Sequence, residues 1–118
     1  MITELQPNQI FVFGSNLAGK HAGGAAKQAH EQFGAKMGVG EGLTGQSYAF
    51  PTLDEDFQKV SNTILKSARL NLYRAARFHS DKEFLLTKVG CGIAGFSEDK
   101  MRKLFVNAPA NIIKPEGW

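Results

Sequence analysis

A chain of 118 residues is long enough for one domain, here taken as residues 1–118, and 42% hydrophobic against 21% charged residues exclude a disordered chain. The net charge of +3 suits a small polyanion but falls short of the dense basic stripe of a dedicated nucleic-acid binder. One cysteine excludes an intramolecular disulfide framework, and no Cys/His set has zinc spacing, so neither a metal nor a cofactor is expected.

Met1-Ile2-Thr3-Glu4-Leu5-Gln6 has neither the basic region nor the apolar run of a signal peptide. No apolar stretch approaches the length of a membrane span, so the expected setting is cytoplasmic, with no membrane partner. Gln9-Ile10-Phe11-Val12-Phe13 is β-rich throughout and ends at Gly14; it reads as a strand buried on both faces. A glycine cluster follows, from Gly14 to Gly45, and from Gly24 an Ala-rich helix runs to Phe33, with Ala25, Ala26, Ala29 and Phe33 at helical spacing and Gly34 as its stop. Residues 37–45, with Gly38, Gly40, Gly42 and Gly45, are too rich in glycine for a helix and read as a wrapping loop.

Residues 46–50 read as a second strand, ended by Pro51, and Asp54-Glu55-Asp56 as an acidic turn. Ser61 is placed to cap a long helix in which Ile64, Leu65, Ala68, Leu72, Ala75 and Ala76 share a face as far as Phe78. Its basic stretch from Lys66 to Arg77 reads as a solvated face that a partner could touch. Residues 83–89 form a third strand, feeding Gly90-Cys91-Gly92-Ile93-Ala94-Gly95-Phe96. Ser97 caps a further helix with Glu98 and Asp99 in its first turn, and a last short strand spans 110–113. Strands alternating with helices predict an α/β layered domain.

Twelve of the 13 glycines lie in these two clusters, each at the end of a strand. Ligands of open α/β sheets collect outside the carboxyl ends of the strands. Glycine lets backbone approach a ligand, and amides at a helix start favour phosphate. The placement therefore predicts a site that grips two phosphates, against the plainer reading that glycine only makes tight turns. No Gly-Lys-Ser/Thr follows as in a P-loop, and there is no Rossmann fingerprint. Asn16 could hold a ribose hydroxyl, orient a water, or simply close an Asx turn. His21 could contact phosphate, donate a proton, or lie exposed. Phe96 could stack on a ligand ring or pack in the core. Cys91 lies where a thiolate could be stabilised, yet no histidine is paired with it, and it reads more readily as a small side chain in a crowded loop.

Four segments together resemble the macro domain family, whose members bind ADP-ribose and related NAD-derived nucleotides, and more closely the small macro-like proteins of phages and bacteria. They are Phe11-Val12-Phe13-Gly14-Ser15-Asn16-Leu17-Ala18-Gly19, Gly23-Gly24-Ala25-Ala26, Gly45-Gln46-Ser47-Tyr48-Ala49-Phe50-Pro51-Thr52 and Val89-Gly90-Cys91-Gly92-Ile93-Ala94-Gly95-Phe96. The resemblance implies a three-layer α/β/α sandwich with a mixed sheet and a small-molecule nucleotide as partner, free or carried on an ADP-ribosylated macromolecule. It implies that Ala22 to Ala26 line the distal ribose, Gly90 to Phe96 hold the diphosphate, and Gly14, Ser15, Asn16 and Leu17 border the ligand. No acidic residue follows Phe13, where the family often holds the adenine amino group. Where hydrolytic branches carry aspartate or lysine, the matching positions here are Ala26, Leu53 and Ala94. Binding is therefore the expected function, ADP-ribosyl hydrolysis with Asn16 or His21 positioning water the alternative, and a nucleic-acid-binding accessory role the most distant.

Overall fold

Ile10, Phe11, Val12 and Phe13 are all buried, and because successive strand side chains point to opposite faces, such a run needs cover on both sides. The computed structural model, which describes residues 2–118, supplies that cover. β1 (Gln9–Asn16) lies at the centre of a five-stranded sheet, between β3 (Ser47–Leu53) and β4 (Glu83–Leu86), parallel to both. β2 (Gly42–Thr44) is antiparallel on the far edge of β3, and β5 (Ile112–Ile113) is parallel to β4 on the other edge. The sheet is therefore mixed.

Phe11 and Phe13 pack with Ala26 and Ala29 of α1 (Gly24–Gln32) and with Phe33. Ile10 and Val12 face the other way, into a larger cluster with Leu65 and Leu72 of α2 (Asn62–Phe78) and Met101 of α3 (Glu98–Leu104). Helices thus cover both faces, giving a three-layer α/β/α sandwich. Ser61 and Ser97 cap α2 and α3 as their positions predict, accepting from the amides of Ile64 and Lys100. α1 differs: its N-cap is Gly23, which offers no side chain.

Several boundaries depart from the sequence reading. β1 continues through Gly14 to Asn16, because Gly14 and Ser15 still pair with Phe50 and Pro51. β3 likewise runs through Pro51. The short β2 pairs only with Ser47 to Ala49, and the next partner on that edge is the bridge of Leu53 with Lys59, so Pro51 falls in the gap between them, where a residue without an N–H is tolerated. The glycine-rich segment 37–45 contains β2 rather than loop alone. β4 stops at Leu86, where the amide of Val89 turns back to the carbonyl of Thr87 (2.8 Å). Similarly, β5 begins only at Ile112, whose amide closes a turn on Pro109. Among the described residues no helix is long and apolar enough to cross a membrane.

Candidate functional site

Because β1, β3 and β4 run parallel, their carboxyl ends lie along one edge of the sheet. The loops that follow them, residues 17–23, 54–59 and 87–97, border a cleft of about 540 Å³. The two glycine clusters meet in it: a Cβ placed on Gly14 would lie 3.2 Å from the amide nitrogen of Gly90.

Two groups of free amides line the cleft. Gly24, Ala25 and Ala26 open α1, whose first-turn N–H groups have no intrahelical acceptor and no side-chain cap. Across from them, the loop 90–96 folds on itself through the amides of Cys91, Gly95 and Phe96, bonded to the carbonyls of Lys88, Gly92 and Gly90. Those bonds leave the amides of Gly92, Ile93 and Ala94 without a protein acceptor among the described residues. Lys20 and Lys88 are the only charged side chains in the lining, and no carboxylate is among it. Lys88 also pairs with Glu98 at 3.0 Å; the bond from Lys88 and a second from Trp118 hold the Glu98 carboxyl below its ordinary range. Free amide donors and two lysines, one of them shared with Glu98 just outside the lining, give the cleft the character of an anion site.

The sequence candidates divide. Gly14, Ser15, Asn16, Gly23, Gly24, Ala25, Gly90, Gly92, Ile93 and Ala94 line the cleft, whereas Leu17, Cys91, Gly95 and Phe96 do not. Ala26 and Leu53 join the lining with small or apolar side chains. Asn16 borders the cleft but its amide group is committed, donating to the carbonyl of Lys20 (2.8 Å) and accepting from the amide of Lys20 (3.0 Å). It closes the turn on which Lys20 sits.

His21 is a correction. It is 2% exposed, beneath the loop rather than in the cleft, with its ring edge against Phe13. Nε2 lies 3.0 Å from the carbonyl of Lys36; a carbonyl can only accept, so Nε2 donates, while the buried Nδ1 has no hydrogen-bond partner among the described residues. It can neither meet a phosphate nor pass a proton to a ligand. Phe96 is a second correction. Its ring is buried in the core cluster, with the ammonium groups of Lys59 and Lys100 at 5.1 and 5.2 Å, and cannot stack on a ligand.

Cys91 is the third. The adjacent helix does not begin until Glu98, and the thiol faces the carbonyl of Val89. Burial pushes its pKa up, the Glu98 carboxylate adds to this, and only Lys88 opposes it. The thiol therefore ionises less readily than free cysteine. Iodoacetamide is expected to alkylate it several-fold more slowly than free cysteine at pH 8, with the rate rising only at higher pH; equal rates would show an activated thiolate instead.

Among the lining side chains that escaped the sequence reading are Lys20, Lys88 and Phe57. Lys20 and Lys88 carried no local signal beyond lying next to glycine loops. Phe57 sits at the tip of the turn 54–58, is 47% exposed, and adopts φ of 61°. The Asp54 carboxylate holds that turn by accepting from the amides of Asp56 and Gln58, an Asx pattern that could have been read from the chain. The ammonium of Lys20 lies 5.6 Å from the Phe57 ring centre.

No family model matches the chain, and the search of curated proteins returns no match. Among solved structures, the macrodomain of Mycobacterium tuberculosis DarG is similar, with a TM-score of 0.68 over 93% of this chain and 89% of that one, at 17% identity. The chain has a macro domain fold. The likeness extends over nearly the whole chain.

Proposed function

We propose that the protein binds ADP-ribose or a closely related NAD-derived nucleotide in this cleft. The observation that carries the reading is the meeting of two sets of unpaired amides, at the start of α1 and in the loop 90–96, across a cleft whose only charges are lysines. The diphosphate takes the amides of Gly92, Ile93 and Ala94, while the distal ribose lies against residues 22–26. The macro domain fold and the sequence resemblance support the same ligand class.

The lining contains no carboxylate, histidine or thiol. General acid–base catalysis needs a group that can move a proton near the reacting bond, and the side chains at Ala26, Leu53 and Ala94 cannot. The reading is therefore of a binder rather than a hydrolase, acting on free nucleotide or on an ADP-ribosylated macromolecule in a cytoplasmic setting. Incubation with ADP-ribosylated protein and nucleic acid is expected to release no ADP-ribose.

Calorimetric titration with ADP-ribose, AMP and NAD tests the binding itself, and silence with all three at millimolar ligand would overturn it. Lys88→Ala is expected to weaken ADP-ribose about tenfold, the usual worth of one charge-assisted hydrogen bond. The loss should shrink as salt rises, since Lys88 is half-exposed.

A further inference from the structure

We propose that the outer face of α2 is a second binding surface, apart from the cleft, which takes the phosphate backbone of a single-stranded nucleic acid and stacks a base on Phe78. α2 holds Lys66, Arg69, Arg74 and Arg77 and no acidic residue in its 17 positions. Three of the chain's four arginines lie there, and without this helix the remaining Lys and Arg are outnumbered by Asp and Glu. The positive charge of the whole protein is thus the charge of one helix. None of the ion pairs among the described residues involves it.

The cations share a face because they recur at helical intervals. Lys66, Arg69 and Arg77 line a groove of about 590 Å³ between α2 and Val106-Asn107, with no carboxylate in its walls. Two bonds pin that far wall: Arg69 donates to the carbonyl of Leu104 (2.9 Å) and Tyr73 to that of Val106 (2.8 Å). Arg74 and Phe78 continue the face one and two turns beyond Leu70. From Lys66 to Arg77 the helix rises about 16 Å, the length of roughly five stacked nucleotides.

What distinguishes this face from a merely solvated one is Phe78. It is 84% exposed next to Arg77, and its one aromatic neighbour, His79, meets it at 81°, leaving a ring face open. Phe78 and Arg74 lie outside the groove, on the exposed helix face beside it, and cations along a helix face with an open aromatic near its end suit a single strand with little sequence preference. Arginine's planar fork also fits phosphate better than a point charge would. Exposed Leu70 and Val106 would serve an acidic polypeptide as well, but such a partner would gain little from an open ring beside arginine.

Fluorescence anisotropy with labelled 20-nucleotide dT and rU strands tests the proposal. With three freely exposed cations engaged, raising salt from 50 to 200 mM is expected to weaken binding about twentyfold. Charge reversal at Lys66, Arg74 and Arg77 together should abolish it, and Phe78→Ala should cost about tenfold. Melting temperature and ADP-ribose titration of each variant verify that fold and cleft are intact. No binding at 50 mM salt, or affinity unchanged in either variant, overturns the proposal. So does a blunt duplex that binds equally well, or polyglutamate that displaces the strand as effectively as unlabelled dT; the latter result would assign the face to an acidic protein. The surface shares no residue with the cleft, so either reading can fail while the other stands.

Discussion

Replacing Gly92 by tryptophan is expected to weaken ADP-ribose by more than a hundredfold while leaving the melting temperature within a degree or two. Gly92 lines the cleft, and a Cβ added to it would meet no atom within 4 Å, so the fold accepts a side chain there. The indole would occupy the space in front of the amides of Ile93 and Ala94. Losing two or three charge-assisted hydrogen bonds to a diphosphate accounts for a change of about that size. Gly23→Trp repeats the experiment on the opposite wall, since Gly23 is extended (φ −156°) and its Cβ also points into open space. Gly24 is a poorer choice, because its φ of 58° would add backbone strain to any steric block. Full affinity in both variants, measured by calorimetry, would place the nucleotide elsewhere.

Gly19→Ala should have the opposite character, costing stability by about 3 kcal/mol through strain and overlap together. Gly19 has φ of 71°, and a Cβ there would fall 2.3 Å from the carbonyl carbon of Gly38 and 2.6 Å from the nitrogen of Val39. Both obstacles are backbone and cannot swing aside. The two strands of loop lie directly on each other, with the amide of Gly38 bonded to the carbonyl of Gly19 at 2.9 Å. Gly40 repeats the packing one step on, its Cβ position 2.5 Å from the carbonyl oxygen of Asn16. A loss of that size is a large part of a small domain's total stability and corresponds to a fall of roughly 12 °C or more in melting temperature. Calorimetric melting decides the matter: a shift of only a degree or two would mean that segments 17–19 and 38–40 separate at little cost. Unlike the Gly92 variant, this one should lose ligand and stability together, because the same turn carries Lys20 into the cleft.

The contrast between these glycines shows why their count alone was a blunt instrument. Gly92 and Gly23 are glycines with room around them, at the cleft; Gly19 and Gly40 are glycines because another backbone is there. The sequence reading counted all four within the glycine clusters and gave Gly23 and Gly92 to the ligand, with no account of why Gly19 and Gly40 must be glycine. Asn16 and His21 show a related limit. Both were polar residues beside a glycine loop, where a ligand contact was a fair expectation, yet one spends its amide on Lys20 and the other is buried beneath the loop against Phe13 and Lys36. Phe96 was open between stacking and packing, and its neighbours in the core decided for packing.

The elements themselves were legible because their causes are local. Four consecutive apolar residues mark β1, alanines at helical spacing mark α1, and Ser61 and Ser97 announce α2 and α3 from within three residues of the amides they cap. Strand ends were not legible, since Pro51 is allowed by where β2 stops and β4 is cut short by a turn at Val89. Nor was the cleft. Its existence follows from β1 lying between β3 and β4, a pairing that joins Gln9 to Glu83 across 74 positions of sequence. Hydrogen bonds of that reach leave no periodic trace in either partner. Local chemistry therefore announced two amide-bearing turns, and only the parallel order of three distant strands brought them to face each other with Lys20, Lys88 and Phe57 between.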